Sequence, residues 1–214
     1  MAVAKNPNLL PESGLVTFKE GEYLVSLARK AALVYAEKHV KIEPEIEKGV
    51  LGKDRGVFVT IEEYPSHDLR GCIGYPMPVA PLARAVCDNA VNAAFDDPRF
   101  APMSASEFKG VTFEVSVLTI PKKIEYKSPE DLVSQVKIGR DGLIVKSGFY
   151  SGLLLPQVPV EWKWDVREFL SHTCDKAGLP ADYWKAGKPE FQSFSAQIFS
   201  EEKPNGKIVE KPLV

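Results

Sequence analysis

Residues 56–74 constrain the fold most. Gly56-Val57-Phe58-Val59-Thr60-Ile61-Glu62 alternates, is rich in β-branched residues and reads as a strand. Pro65-Ser66-His67-Asp68 turns the chain, and Leu69-Arg70-Gly71-Cys72-Ile73-Gly74 returns as a second strand. A hairpin is the simplest link. Farther on, strands and helices do not alternate regularly, and several links are hairpin-like. An antiparallel α+β fold therefore fits better than a doubly wound parallel sheet.

The remaining elements follow from caps and periodicity. Thr17-Phe18-Lys19-Glu20 has capping-box spacing ahead of a helix from about Lys19 to His39. Pro78 and Pro81 precede a helix whose stripe of Leu82, Ala85, Val86, Ala90, Ala93 and Ala94 is mostly small and suits close packing on a sheet. Val111–Leu118 is a third strand, closed by Pro121. Ser128-Pro129 starts a helix, and Asp141-Gly142 is placed at a hairpin turn between 136–139 and 143–145. Gly152–Leu155 adds a short strand, and Asp165 with Glu168 opens a helix that stops at Gly178. Asp182–Lys185 adds a turn of helix, and Gln192, Phe194, Ala196 and Ile198 form a late strand. Lys207–Val209 forms an end strand. Breakers at Pro121 and Pro189 bracket residues 122–188 as a smaller lobe. It is inserted in a larger one made of 15–121 plus 189–214, which holds both termini.

Charge and composition exclude several function classes. The formal net charge is −2 and there is no basic stripe, which argues against nucleic acid as a partner. No apolar run approaches the length of a membrane span, and Met1–Gly14 lacks the order of a signal peptide and reads as a loose arm. The segment 41–48 alternates lysines and acids like a solvated surface. The expected location is the cytoplasm. The three cysteines are odd in number and widely spaced, with no Cys-x-x-Cys pair, so free thiols are expected. No His-Glu-x-x-His, cysteine quartet, phosphate loop or dinucleotide fingerprint occurs, and neither a metal nor a cofactor is expected.

Candidate chemistry centres on Arg70 and Cys72. Residues two apart in a strand share a face, so a guanidinium is expected near the sulfur. A cation beside a thiol favours the thiolate, the nucleophilic form. The alternatives are that Cys72 is a small packed residue and that Arg70 holds a carboxylate or phosphate bidentately. The flanking Gly71 and Gly74 are expected to let a ligand come close. Leu69, Arg70, Gly71, Ile73, Gly74 and Glu114 are the substrate-binding candidates, with Cys72 the catalytic one. His172 is a second catalytic candidate, should its helix face look across a cleft at Cys72. Glu114 is an acid among apolar neighbours in mid-strand, which calls for a partner such as Arg70 or Arg99. Cys87, Cys174 and the cluster of Trp162, Trp164 and Trp184 read as structural.

The hexapeptide Leu69–Gly74 resembles the AMMECR family. The likeness continues in order through Asp97–Phe100, Phe113–Leu118, Ile138–Leu143, Leu153–Val158 and Cys174–Leu179, and spans about Tyr23 to Phe199. The resemblance implies two unequal lobes, each an antiparallel sheet with flanking helices. The hexapeptide would then face the cleft between them. It brings no settled reaction. The Arg70–Cys72 face between glycines, set in that cleft, points to an enzyme or enzyme component taking a substrate, such as a protein or other large molecule, or else to a non-catalytic adaptor that recognises a partner protein through Arg70. Some bacterial relatives are fused to, or encoded beside, a Memo-like protein and a radical S-adenosylmethionine protein, which implies a shared pathway.

Overall fold

The computed structural model describes residues 16–45, 49–186 and 189–212. The expected N-terminal arm, the end of the 41–48 surface segment and the breaker Gly187 lie outside the described residues. Helix α1 (Phe18–Lys38) starts as its sequence dictates. The Thr17 hydroxyl accepts from the Glu20 N–H, and the Glu20 carboxylate accepts from the Thr17 N–H. It is followed by β1 (Val57–Glu63), β2 (Leu69–Tyr75), α2 (Leu82–Phe95) and β3 (Val111–Leu118). Next come β4 (Lys122–Lys123), α3 (Pro129–Gln135), β5 (Gly142–Ser147) and β6 (Tyr150–Leu154). The chain ends with α4 (Val158–Glu161), α5 (Val166–Lys176), α6 (Tyr183–Ala186), β7 (Glu190–Phe194), β8 (Ala196–Glu201) and β9 (Ile208–Lys211).

The strands form two antiparallel sheets, of order β2-β1-β3-β8-β9 and β4-β7-β5-β6, so the fold is α+β. Alternation along β1 and β3 sends Val57, Val59, Ile61, Phe113, Val115 and Val117 into a core under α1 and α2. The opposite face carries Phe58, Thr60 and Glu114. A second core gathers Leu132, Leu143, Val145, Phe169, Leu170, Trp184 and Phe191 beneath the smaller sheet's helices. A third cluster joins the sheets, with Phe58, Leu118 and Ile198 of the larger one against Ile144, Leu153 and Phe194 of the smaller.

Two sequence expectations move. The late strand is two strands in different sheets, because β7 pairs with β5 and β8 pairs with β3. The chain therefore changes sheets at Ser195 rather than at Pro189, and the smaller sheet draws on residues 122–194. Phe191 belongs to the second core, while Ser195 is pinned at the crossing by its N–H to Thr119 Oγ1 (2.8 Å). The Asp141-Gly142 turn is not the tip of a hairpin. The Asp141 carboxylate accepts the Lys137 N–H at 2.8 Å and closes the turn that leads into β5. The hairpin turns instead at Gly148, which has a φ of +58°. Among the described residues no helix is long and apolar enough to cross a membrane.

Candidate functional site

The site is a row of side chains across three strands. Cys72 on β2 stands opposite Thr60 on β1, and Thr60 stands opposite Glu114 on β3. Residues paired across a sheet share a face, so thiol, hydroxyl and carboxylate line up on the side away from α1 and α2. The Thr60 hydroxyl donates to the Cys72 sulfur at 3.3 Å. The neighbouring row on the same face holds Phe58, Ser116, Ile198 and Lys211. From there the Lys211 ammonium reaches the Glu114 Oε2 at 2.7 Å.

The backbone of Cys72 is anchored independently. β2 is an edge strand, and its open side presents peptide groups that need partners. The Cys72 N–H donates to Asp97 Oδ2 at 2.9 Å, and the Cys72 carbonyl accepts from Arg99 Nη2 at 3.3 Å. Asp97 and Arg99 hold each other through Nε–Oδ1 (2.9 Å) and Nη2–Oδ2 (2.7 Å). Asp97-Pro98-Arg99 therefore satisfies the strand edge as another strand would. These bonds, led by those from Arg99, hold the Asp97 carboxyl far below the usual carboxylate range.

The expected Arg70–Cys72 pairing is not formed. Opposite the single step Ile61–Glu62, β2 advances two residues from Gly71 to Leu69, so Arg70 is the extra residue of a β-bulge. A bulge breaks the period of two and re-aims the side chain. Arg70 donates to Glu107 Oε1 from Nε (3.1 Å) and Nη2 (2.9 Å), and to the Ala101 carbonyl at 2.9 Å. Only 11% of its side chain is exposed. The cation whose field reaches the thiol is Arg99.

The glycines serve packing rather than ligand access. A Cβ on Gly71 would lie 2.1 Å from the Ala93 carbonyl oxygen of α2, and one on Gly74 would lie 2.3 Å from the Phe58 ring. Ile73 packs against the first core, and Leu69 is exposed. His172 is engaged elsewhere. Its ring stacks on Trp164 at 3.9 Å between centroids, and its Nδ1 lies 3.7 Å from Asp175. Among the described residues no interaction joins it to Cys72. Trp184 lies in the core, and Trp162 is exposed at the rim and stacks on Trp164.

Glu114 takes neither expected partner, for Arg70 is tied to Glu107 and Arg99 to Asp97. Lys211 does not reveal itself in sequence, because only the order of strands brings β9 near β3. Thr60 was equally hidden, a polar residue in an ordinary alternation until the register set it against Cys72.

Electrostatics give the thiol its resting state. Burial pushes the Cys72 thiol up, Thr60 and Arg99 oppose this, and the charges of Glu114 and Asp97 add to it. Cys72 is therefore neutral near physiological pH, not a preformed thiolate. Burial likewise pushes Cys87 up to about 12 and Cys174 up to about 11. Iodoacetamide is expected to modify Cys72 more slowly than free cysteine near neutral pH. The rate should keep rising above the pH where free cysteine levels off. Peptide mapping should find Cys72 labelled ahead of the two buried cysteines. A neutral-pH rate equal to or above that of free cysteine would contradict the assignment.

A family model described as AMMECR1 matches residues 25–199, a range that includes Thr60, Cys72 and Glu114 and stops short of Lys211. Protein MK0488 of Methanopyrus kandleri is 52% identical over 92% of this chain and 96% of its own length. Protein MJ0810 of Methanocaldococcus jannaschii is 47% identical over 94% of this chain and 99% of its own length. The crystal structure of uncharacterized protein PH0010 from Pyrococcus horikoshii matches with a TM-score of 0.84 and 49% identity. That match covers 92% of this chain and 98% of the other.

Proposed function

The chain belongs to the AMMECR1 family, and from that premise we propose that it is an enzyme or enzyme component working at the row of Cys72, Thr60 and Glu114. The substrate enters a cleft beside the junction of the two sheets and lies across this row. One observation carries the reading: three strands in register place a thiol, a hydroxyl and a carboxylate side by side on a face whose neighbouring row is closed by Phe58 and Ile198. A face needed only for packing would be filled with apolar groups, because burying polar ones has a cost. The row runs about 10 Å over three strands, a length that suits an extended segment of a protein or other large molecule. Cys72 is the candidate reacting group. The Thr60 hydroxyl is placed to stabilise negative charge on its sulfur as the substrate displaces water.

This reading replaces Arg70 with Arg99 as the cation beside the thiol. It also weakens an adaptor that recognises its partner through Arg70, since Nε and Nη2 of that guanidinium are held by Glu107 and the Ala101 carbonyl. The protein is proposed to act in the cytoplasm, in the pathway shared with Memo-like and radical S-adenosylmethionine proteins.

Protection from alkylation tests the reading. Fractions of a native extract, from small molecules to proteins, are added to the purified protein, and the rate of Cys72 modification is followed by mass spectrometry. One fraction is expected to slow it at least about tenfold, the effect of a ligand present at roughly nine times its dissociation constant. Thr60→Val and Glu114→Gln should abolish that protection, and Arg70→Lys should retain it. Failure of every fraction to alter the rate, or protection that survives both row variants, would overturn the reading.

A further inference from the structure

Glu114 is the one acid of the row, and its side chain is only 13% exposed. Burial raises its pKa, and the charges of Glu62 and Glu161 raise it further. Lys211 opposes them through its charge and its hydrogen bond. Glu62 is itself engaged with His67 Nδ1 at 3.3 Å.

We propose that Lys211 is a positioning residue of the site: from β9, across the face of β8, it holds the Glu114 carboxylate, favours its charged form and aims it along the row. The geometry requires reach. β8 lies between β9 and β3, and Lys211 pairs with Ile198 while Glu114 pairs with Ser200. The ammonium therefore crosses a strand to its partner, and both side chains must run along the sheet face. A lysine meant only to cover the edge of β9 would point its ammonium into water. The bond from Lys211 engages Oε2, and among the described residues no hydrogen bond takes Oε1, which is proposed to meet a substrate donor. The last strand thus completes a site whose other members all lie within the family-matched range. This inference rests on the proposed function for what Glu114 meets, but not for its ionisation.

The test is a side-chain carboxyl NMR titration of Glu114 in the full-length protein, for wild type, Lys211→Met and Lys211→Arg. Loss of the ammonium is expected to raise the Glu114 midpoint by about one pH unit or more, the effect of one close opposite charge. Lys211→Arg should restore it to near the wild-type value. A matching change is expected in the alkylation profile of Cys72, since Glu114 acts on the thiol through its charge. An unchanged midpoint in Lys211→Met, or failure of the arginine to restore it, would overturn the positioning role. Thermal melting of both variants checks that they are folded. Should Lys211→Met unfold, Lys211→Gln under the same titration decides the matter. The titration needs no substrate, so its outcome stands apart from the fate of the extract experiment.

Discussion

Glu201→Ala is expected to lower folding stability by about 3–5 kcal/mol, the cost of leaving one member of a buried ion pair uncompensated. Glu201 on β8 and Arg29 on α1 are both nearly sealed from solvent. The Arg29 Nε donates to Glu201 Oε1 at 2.6 Å, and Nη2 pairs with Oε2. The guanidinium also donates to the carbonyls of Phe108 (2.8 Å) and Val111 (2.6 Å) and lies 4.8 Å from the centre of the Phe113 ring. Glu201 further accepts the Phe113 N–H at 3.0 Å. Removing the carboxylate strands a buried cation and a backbone donor together. For a chain of this size each kcal/mol moves the melting temperature by about 2–4 °C, so a fall on the order of 6–20 °C should appear in a thermal scan. The double variant Arg29→Met/Glu201→Met should lose markedly less, since it leaves no unpaired charge. A single-variant shift within about 2 °C would show that the pair contributes little.

Gly71→Ala should be nearly as damaging, at about 1–3 kcal/mol, and Gly71→Val worse, because a close-packed contact has no room for added methyl groups. The position of the missing Cβ is taken by the Ala93 carbonyl oxygen at 2.1 Å, and helix backbone cannot step aside as a flexible side chain can. α2 would have to lift from β2. The midpoint of urea unfolding should fall with little change in its slope. An unaltered midpoint would mean that the helix is free to shift.

Much of the fold was legible because its signals are local. The Thr17–Glu20 box, the alternation of Val111–Leu118 and the small-residue stripe of α2 each name their element without reference to the rest of the chain. What failed was non-local. Gln192, Phe194, Ala196 and Ile198 keep one alternation while the chain passes between sheets, and nothing in their spacing marks the crossing at Ser195. Short α4 went unseen, as four residues between prolines and tryptophans carry no period. At the candidate site, sequence singles out Cys72 and Glu114, both anomalous for their surroundings. It paired Arg70 with Cys72 by applying strict alternation, and the bulge that cancels the alternation arises only from the pairing of β2 with β1. Sequence makes Arg99 a candidate partner for Glu114, and its role on the strand edge depends on how the chain after α2 returns to β2.

That return has a practical consequence. Asp97 and Arg99 grip the peptide groups of residue 72, not its side chain. The main chain at that point is thus fixed by two groups that do not depend on what the residue carries beyond its Cα. Exchanging sulfur for oxygen there alters chemistry and leaves the scaffold where it was, so a defect in Cys72→Ser can be ascribed to the lost atom itself.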